Sequence, residues 1–261
     1  MNPGKNIVLA ALLLGLTGIR PPARATAPEP GAGLWQKAIE VYRRNQDWYP
    51  ERVVILSEML NRRGEPYSVT EIFFSLRLDA KGKIQTELQR SLKNGEDTTE
   101  KMKSKVTIRS PEEGMAPADE NTISVSISDS PFDPERQDAV TVDSGGESQV
   151  LFGCRCRRFH FSYRTSIVHK GKRRELIWRG MAWLKEDSGV PLKLEFTLDP
   201  LPSLVRSLWT IYLYDSARPD RWVVKKISIS GQGGFLFIKK RFRTTTTFSN
   251  HRLPPPADPA G

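Results

Sequence analysis

The chain has 261 residues, with 40 Lys or Arg against 30 Asp or Glu, a formal net charge of +10 and 38% apolar residues. That apolar content and length suffice for one large packed domain, and nothing in the composition demands two. The basic excess favours acidic partners such as anionic lipid headgroups or an acidic protein surface.

Residues 1–27 open with Lys5, continue through an apolar run from Ile7 to Ile19, and end on the small-residue site Ala25-Thr26-Ala27. A run this short falls below the roughly 20 residues that span a bilayer, and Arg20 and Pro21 end it, so it is expected to be a cleavable secretory signal. Removing it takes away Lys5, Arg20 and Arg24, which leaves 37 basic residues against 30 acidic and a net charge of +7. No Cys lies near the cleavage site for acylation. The expected location is therefore the periplasm, and export counts against nucleic acid as a partner.

Residues 28–33 form a lead-in. The segment LWQKAIEVYRRNQ then places Trp35, Ile39 and Tyr42 at helical spacing with Leu34, Ala38 and Val41 beside them, and Pro50 ends the helix. Eleven runs rich in Val, Ile, Phe and Thr follow, at about 52–61, 67–79, 83–92, 121–128, 139–143, 148–164, 174–186, 191–198, 207–215, 221–229 and 234–248. Turn signals separate them, among them Arg63-Gly64, Lys81-Gly82, Asn94-Gly95 and Gly145-Gly146. Three segments read as lids rather than strands: a short helix capped near Asp97-Thr98-Thr99-Glu100, a helical turn at Pro131–Pro134, and an apolar loop over Asp199–Val205. The fold class is mainly β, a large curled antiparallel sheet of about eleven strands forming an incomplete barrel. It carries an N-terminal helix and short lid helices in a single domain over residues 28–250. Residues 251–261 are expected to be a disordered Pro-rich tail.

The stretch GMAWLKEDSGVPLKLE, residues 180–195, sets the orientation of that sheet. Glu186-Asp187-Ser188-Gly189 supplies a turn, and the flanking strands place Leu176, Trp178, Ala182 and Leu184, then Leu192, Leu194, Phe196 and Leu198, on one parity. The same alternation extended to Trp209, Ile211 and Leu213 gives one dry side. Twisted open sheets of more than about ten strands curl, so the dry side becomes the inside of a trough.

Cys154 and Cys156 are the only cysteines. On a regular strand their Cα atoms stand about 7 Å apart, beyond disulfide reach without a bulge. An oxidising compartment favours a pair and Gly153 would permit the bend, so a disulfide is a possible state. Arg155, Arg157, Arg158, Arg173 and Arg174 lie in an acid-free stretch between residues 155 and 174 and form a candidate patch for an anionic partner. Lys239, Lys240, Arg241 and Arg243 make a second basic cluster after an apolar run. His160, His169 and His251 are scattered, and no nucleophile elbow or phosphate loop is present, so no catalytic residue, metal or cofactor is expected.

The signal segment, the amphipathic helix, the long strands and the hairpin with Trp183-Leu184, Asp187, Gly189, Pro191 and Leu192 together resemble the outer-membrane lipoprotein-sorting proteins and their periplasmic half-barrel relatives. The resemblance implies a concave apolar side that accepts acyl chains. The expected function is non-enzymatic binding or transfer of an acylated ligand, a lipoprotein or a lipid. The alternative is an interaction module that binds an envelope protein in stress regulation, and a hydrolase is the third reading. Strand parity makes Trp178, Leu194, Phe196, Trp209, Ile211 and Phe237 the expected lining. An anionic membrane surface is a further candidate partner.

Overall fold

The computed structural model describes residues 32–79, 84–104, 107–108, 122–123, 130–143, 145–169, 172–201, 205–218, 221–235 and 238–253. The expected signal segment and the Pro-rich residues from 254 onward lie outside them. Helix α1 spans Ala32–Asn45. It is followed by strands β1 (Tyr49–Leu60), β2 (Pro66–Leu78), β3 (Ile84–Lys93) and β4 (Glu96–Asp97), then the short helix α2 (Thr99–Lys103) and strands β5 (Thr107–Ile108) and β6 (Thr122–Ile123). After a 3₁₀ turn over Pro134–Ala139 come β7 (Val140–Val142), β8 (Ser148–Leu151), β9 (Cys154–His169), β10 (Lys172–Lys185), β11 (Pro191–Asp199), β12 (Val205–Arg218), β13 (Arg221–Phe235) and β14 (Ile238–Arg252).

Twelve of these strands form one antiparallel sheet in the order β4-β3-β2-β1-β14-β13-β12-β11-β10-β9-β7, with β8 also on β9; β5 and β6 pair with each other. Two meanders, one from each half of the chain, are joined where β14 pairs with β1, and the sheet does not close into a barrel. Among the boundaries that differ from the sequence reading, two have a plain physical cause. The run read as 148–164 is two strands, because Phe152 and Gly153 both take positive φ and make a tight hairpin turn. The final strand continues through His251 and Arg252, which the sequence reading gave to the tail, because both pair with β1.

Strand direction sorts the turns onto two ends. α1 lies across one of them. Arg221 Nη1 donates to the Arg44 carbonyl, and the Trp222 amide donates to Asn45 Oδ1, which anchors the helix to the start of β13. At the β10–β11 turn Gly189 has φ +73, and a Cβ there would stand 2.5 Å from Lys37 Cβ, so a side chain would push the helix away. The turns β1–β2, β3–β4, β9–β10, β11–β12 and β13–β14 all lie at the opposite end.

The core fills the concave face under α1. Trp35 of the helix meets Phe132 at 4.7 Å and Phe159 and Phe161 at 6.0 Å between ring centroids, and its Nε1 donates to Gln137 Oε1. From there the rings interlock across the sheet, Phe161 to Phe196, Trp178 to Phe196 at 5.5 Å and Phe196 to Tyr212 at 5.4 Å. Gly180 sits between Phe161 and Phe196 in the register. A Cβ on it would lie 2.3 Å from the Glu195 carbonyl oxygen, so only glycine lets the aromatic layer pack this closely.

A concave face with two halves

Antiparallel partners share a face, so the register writes out the concave surface rung by rung. Phe159, Ala182, Leu194, Tyr212, Ile227, Thr246, Ile55 and Ile72 stand on one rung. The next rung away from α1 carries Gly180, Phe196, Thr210, Ile229, Thr244, Ser57 and Thr70. On this second rung the β11 side carries Phe196, whereas the β14–β1–β2 side carries hydroxyls, with Ser57 Oγ and Thr244 Oγ1 within 3.4 Å; nearer α1 that side is apolar, with Val53, Phe74 and Phe248 in the core. Ile55 and Ile229 on these rungs, and Leu176 and Leu208 farther from the helix, are only partly buried although they belong to the same apolar layer.

At the border between the filled and the partly open half sit two hydrogen-bonding groups without partners. Trp178 is 7% exposed and Thr165 is 5% exposed. Neither Trp178 Nε1 nor Thr165 Oγ1 has a hydrogen-bond partner among the described residues. The register pairs Tyr163 with Trp178 and Leu176 with Thr165, which makes Thr165 and Trp178 diagonal neighbours about 7 Å apart on the same face. Burying a polar atom unpaired is costly, so such a group in a folded protein marks a place that a further partner would satisfy.

Of the residues expected from sequence to line a cavity, Trp178, Leu194 and Phe196 do face the concave side, but Leu194 and Phe196 belong to the packed core under α1. Trp209 and Ile211 face the other way. Leu194 pairs with Tyr212 and Glu195 with Ile211, so the concave residues of β12 are Leu208, Thr210 and Tyr212, and Trp209 is 43% exposed. Both parities of β12 are apolar, and only the pairing with β11 decides which one is inside. Leu192 is likewise turned out, since the register slips between Trp183 and Leu184 where β10 meets Pro191, and it joins Cys156 and Trp183 in a small cluster on the outer face. Phe237 lies outside the described residues. Tyr212, Thr165 and the hydroxyl rung went unread in the sequence, because Thr in a strand carries no sign of which face it occupies.

The remaining candidates change in the same way. Cys154 and Cys156 are free thiols, two residues apart on a regular part of β9, where both point to the outer face and the spacing keeps them apart. Burial pushes the Cys156 thiol up, with Glu186 and then Cys154 adding to the effect. The arginine patch divides. Arg155 and Arg157 lie beside α1's end of the sheet, each 3.8 Å from Glu186. Arg173 and Arg174 pair with Val168 and Ile167 near the other end of β9, about 40 Å from Arg155 at 3.3 Å per residue. A long strand separates what the sequence places close together.

A groove of about 520 Å³ opens among the strand ends farthest from α1, lined by Leu60, Asn61, Arg62, Tyr67, Gln232 and Arg241. The Arg241 guanidinium is fixed there by Gln232 Oε1 and the Arg62 carbonyl. Nearby, Arg243 grips Glu58 with two hydrogen bonds, 2.6 and 3.0 Å, which hold the Glu58 carboxyl below its usual range.

No family model and no curated protein matches the chain. Among solved structures, a DUF1329 family protein from Desulfovibrio piger is similar over 90% of this chain and 96% of its own, at 10% identity and a TM-score of 0.36. MucB in complex with MucA(peri) aligns over 86% of this chain and 99% of its own, at 8% identity and a TM-score of 0.24. The MucA/MucB complex from Pseudomonas aeruginosa gives 9% identity and a TM-score of 0.23 over 85% and 98% of the two chains. Superpositions this loose assign the chain no function.

Proposed function

We propose that this protein binds an acylated amphiphile, a lipid or the acyl chains of a lipoprotein, on the partly open half of its concave face, and that it acts in the periplasm without catalysis. The observation that carries the reading is the pair of buried groups without partners among the described residues, Trp178 Nε1 and Thr165 Oγ1, beside the partly buried Leu176 and Leu208. An indole N–H can only donate, so it calls for an acceptor such as an ester or amide carbonyl. The partly buried Leu176, Leu208, Ile229 and Ile55 then offer the hydrocarbon chain an apolar surface that is still partly exposed. An acyl carbonyl with its chain supplies both halves of that chemistry at once.

Native mass spectrometry of the purified protein, followed by solvent extraction, tests this reading. Recovered acyl species bound at one per chain are expected. A protein that comes out empty and gains no mass with long-chain acyl esters overturns it. One observation favours a second reading, a protein-interaction module. Beyond the pairing of Leu92 and Lys93 with β4, the outer edge of β3 has no strand beside it among the described residues and can accept an extended peptide. A stoichiometric protein complex that forms without lipid would favour it.

A further inference from the structure

The arginines and lysines that lie far apart in the chain meet at one end of the sheet. Because every second turn points the same way, the end away from α1 collects Arg62 and Arg63 from the β1–β2 turn, Lys93 from the end of β3, and Arg206 from the start of β12. Lys172, Arg173 and Arg174 open β10 at the same end, and Lys240 and Arg241 open β14. Among the described residues the acids there are fewer, Glu58, Glu65, Glu96, Asp97, Glu175 and Asp199, and three of them are already engaged, Glu58 by Arg243, Asp97 by Arg90 and Asp199 by Arg179. The α1 end differs in kind. Several of its cations face local acids: Arg155 and Arg157 share Glu186, Lys185 meets Asp187, Lys225 meets Asp215, and Arg252 meets Glu51.

The molecule is thus electrically one-ended, and the charged end is also where its polar-headed aromatics emerge. Tyr67, 58% exposed, is the second residue of β2, and Trp209, 43% exposed, is the fifth of β12. An acidic protein surface would need only the cations. Tyr and Trp presented beside Arg and Lys match a bilayer interface, where the rings sit at headgroup depth and the cations meet anionic phosphates. Toward this same end Leu176 and Leu208 of the concave apolar layer are only partly buried.

We propose that the end of the half-barrel opposite α1 docks on an anionic phospholipid bilayer, with Arg62, Arg63, Arg206, Lys240 and Arg241 on the headgroups and Tyr67 and Trp209 at the interface. The docking deepens the acyl-binding reading by directing the open half of the trough at the membrane that supplies or receives the ligand. It is measured on cargo-free protein, so its failure and the failure of acyl binding are separate results.

The experiment is co-sedimentation with vesicles of phosphatidylcholine alone or mixed with phosphatidylglycerol, at low and physiological salt. The wild-type protein should bind the mixed vesicles, with affinity falling as salt rises, and should leave phosphatidylcholine vesicles in suspension. The triple variant R63Q/R206Q/K240Q removes one cation from each of three turns and should lose about 100-fold, about fivefold per cation. The control R44Q/R155Q/R158Q removes the same charge from the α1 end and should stay within about threefold, since those cations face away from the bilayer in this orientation. Thermal melts of both variants establish that each is folded. Equal losses in the two variants would reduce the effect to net charge and overturn the docking geometry. Binding to polyglutamate without binding to mixed vesicles would overturn it in favour of an acidic protein.

Discussion

Replacing Thr165 by valine separates the cost of an orphaned group in the empty protein from its use with ligand bound. Thr165 is 5% exposed, and its Oγ1 has no partner. Valine keeps the shape and removes the polar atom. A buried unsatisfied hydroxyl costs about 1–3 kcal/mol in desolvation, and a methyl in its place adds apolar burial, so Thr165→Val should stabilise the cargo-free protein by about 1 kcal/mol. For a chain of this size that is a rise of about 3 °C in Tm. With an acyl ester bound, the wild type gains a hydrogen bond that the variant lacks, worth about 1 kcal/mol, so the variant should bind the ester about fivefold more weakly. A hydrocarbon of equal length should bind both proteins alike. Urea unfolding of cargo-free protein and titration with the ester and the hydrocarbon measure the two effects. A Thr165→Val protein that unfolds at lower urea would refute the reasoning, because the hydroxyl would then be satisfied in the native state.

Three further outcomes follow from the packing and the charges. Gly180→Ala should cost about 3 kcal/mol, read from the urea midpoint, since the new Cβ would lie 2.3 Å from a backbone oxygen that cannot step aside. Phe196→Ala should cost about 4 kcal/mol, whereas Trp209→Ser on the outer face should change stability by less than about 1 kcal/mol; equal losses would contradict the register of β11 with β12. Burial holds His251 below its ordinary value of 6.5, against the opposing pull of a Val224 backbone hydrogen bond and Asp215. The unfolded chain therefore takes up the proton first, and stability present above pH 6.5 should be lost as pH falls through 6.5 toward the lower folded value, a slope that His251→Gln flattens.

The sequence made the sheet legible because its turns are marked. Gly64, Gly95 and Gly189 sit at positive φ where the strands reverse, and alternation on β10 and β11 placed Trp178, Leu194 and Phe196 on the concave side correctly. Alternation failed on β12, where Leu208, Trp209, Ile211 and Tyr212 make both faces apolar and the register with β11 alone distinguishes them. Phe152 at φ +52 hid a hairpin, since an aromatic residue gives no hint of a left-handed turn. The candidate site was the least legible part. An unpaired hydroxyl at Thr165 and an unpaired indole at Trp178 are properties of what surrounds them in space, and the pairing of residue 163 with 178 cannot be read from either segment alone. Charge behaved likewise: Arg63, Arg206 and Lys240 stand far apart along the chain, and strand direction brings them to one rim.

The most direct measurement is photo-crosslinking with a fatty-acyl ester that carries a diazirine along its chain, followed by peptide mapping of the labelled protein. Label on concave residues beyond the aromatic layer, Leu176, Leu208 and Ile229, is the predicted result. Label confined to Trp209, Ile211 or other outward positions, or no saturable label at all, would contradict a ligand held inside the trough.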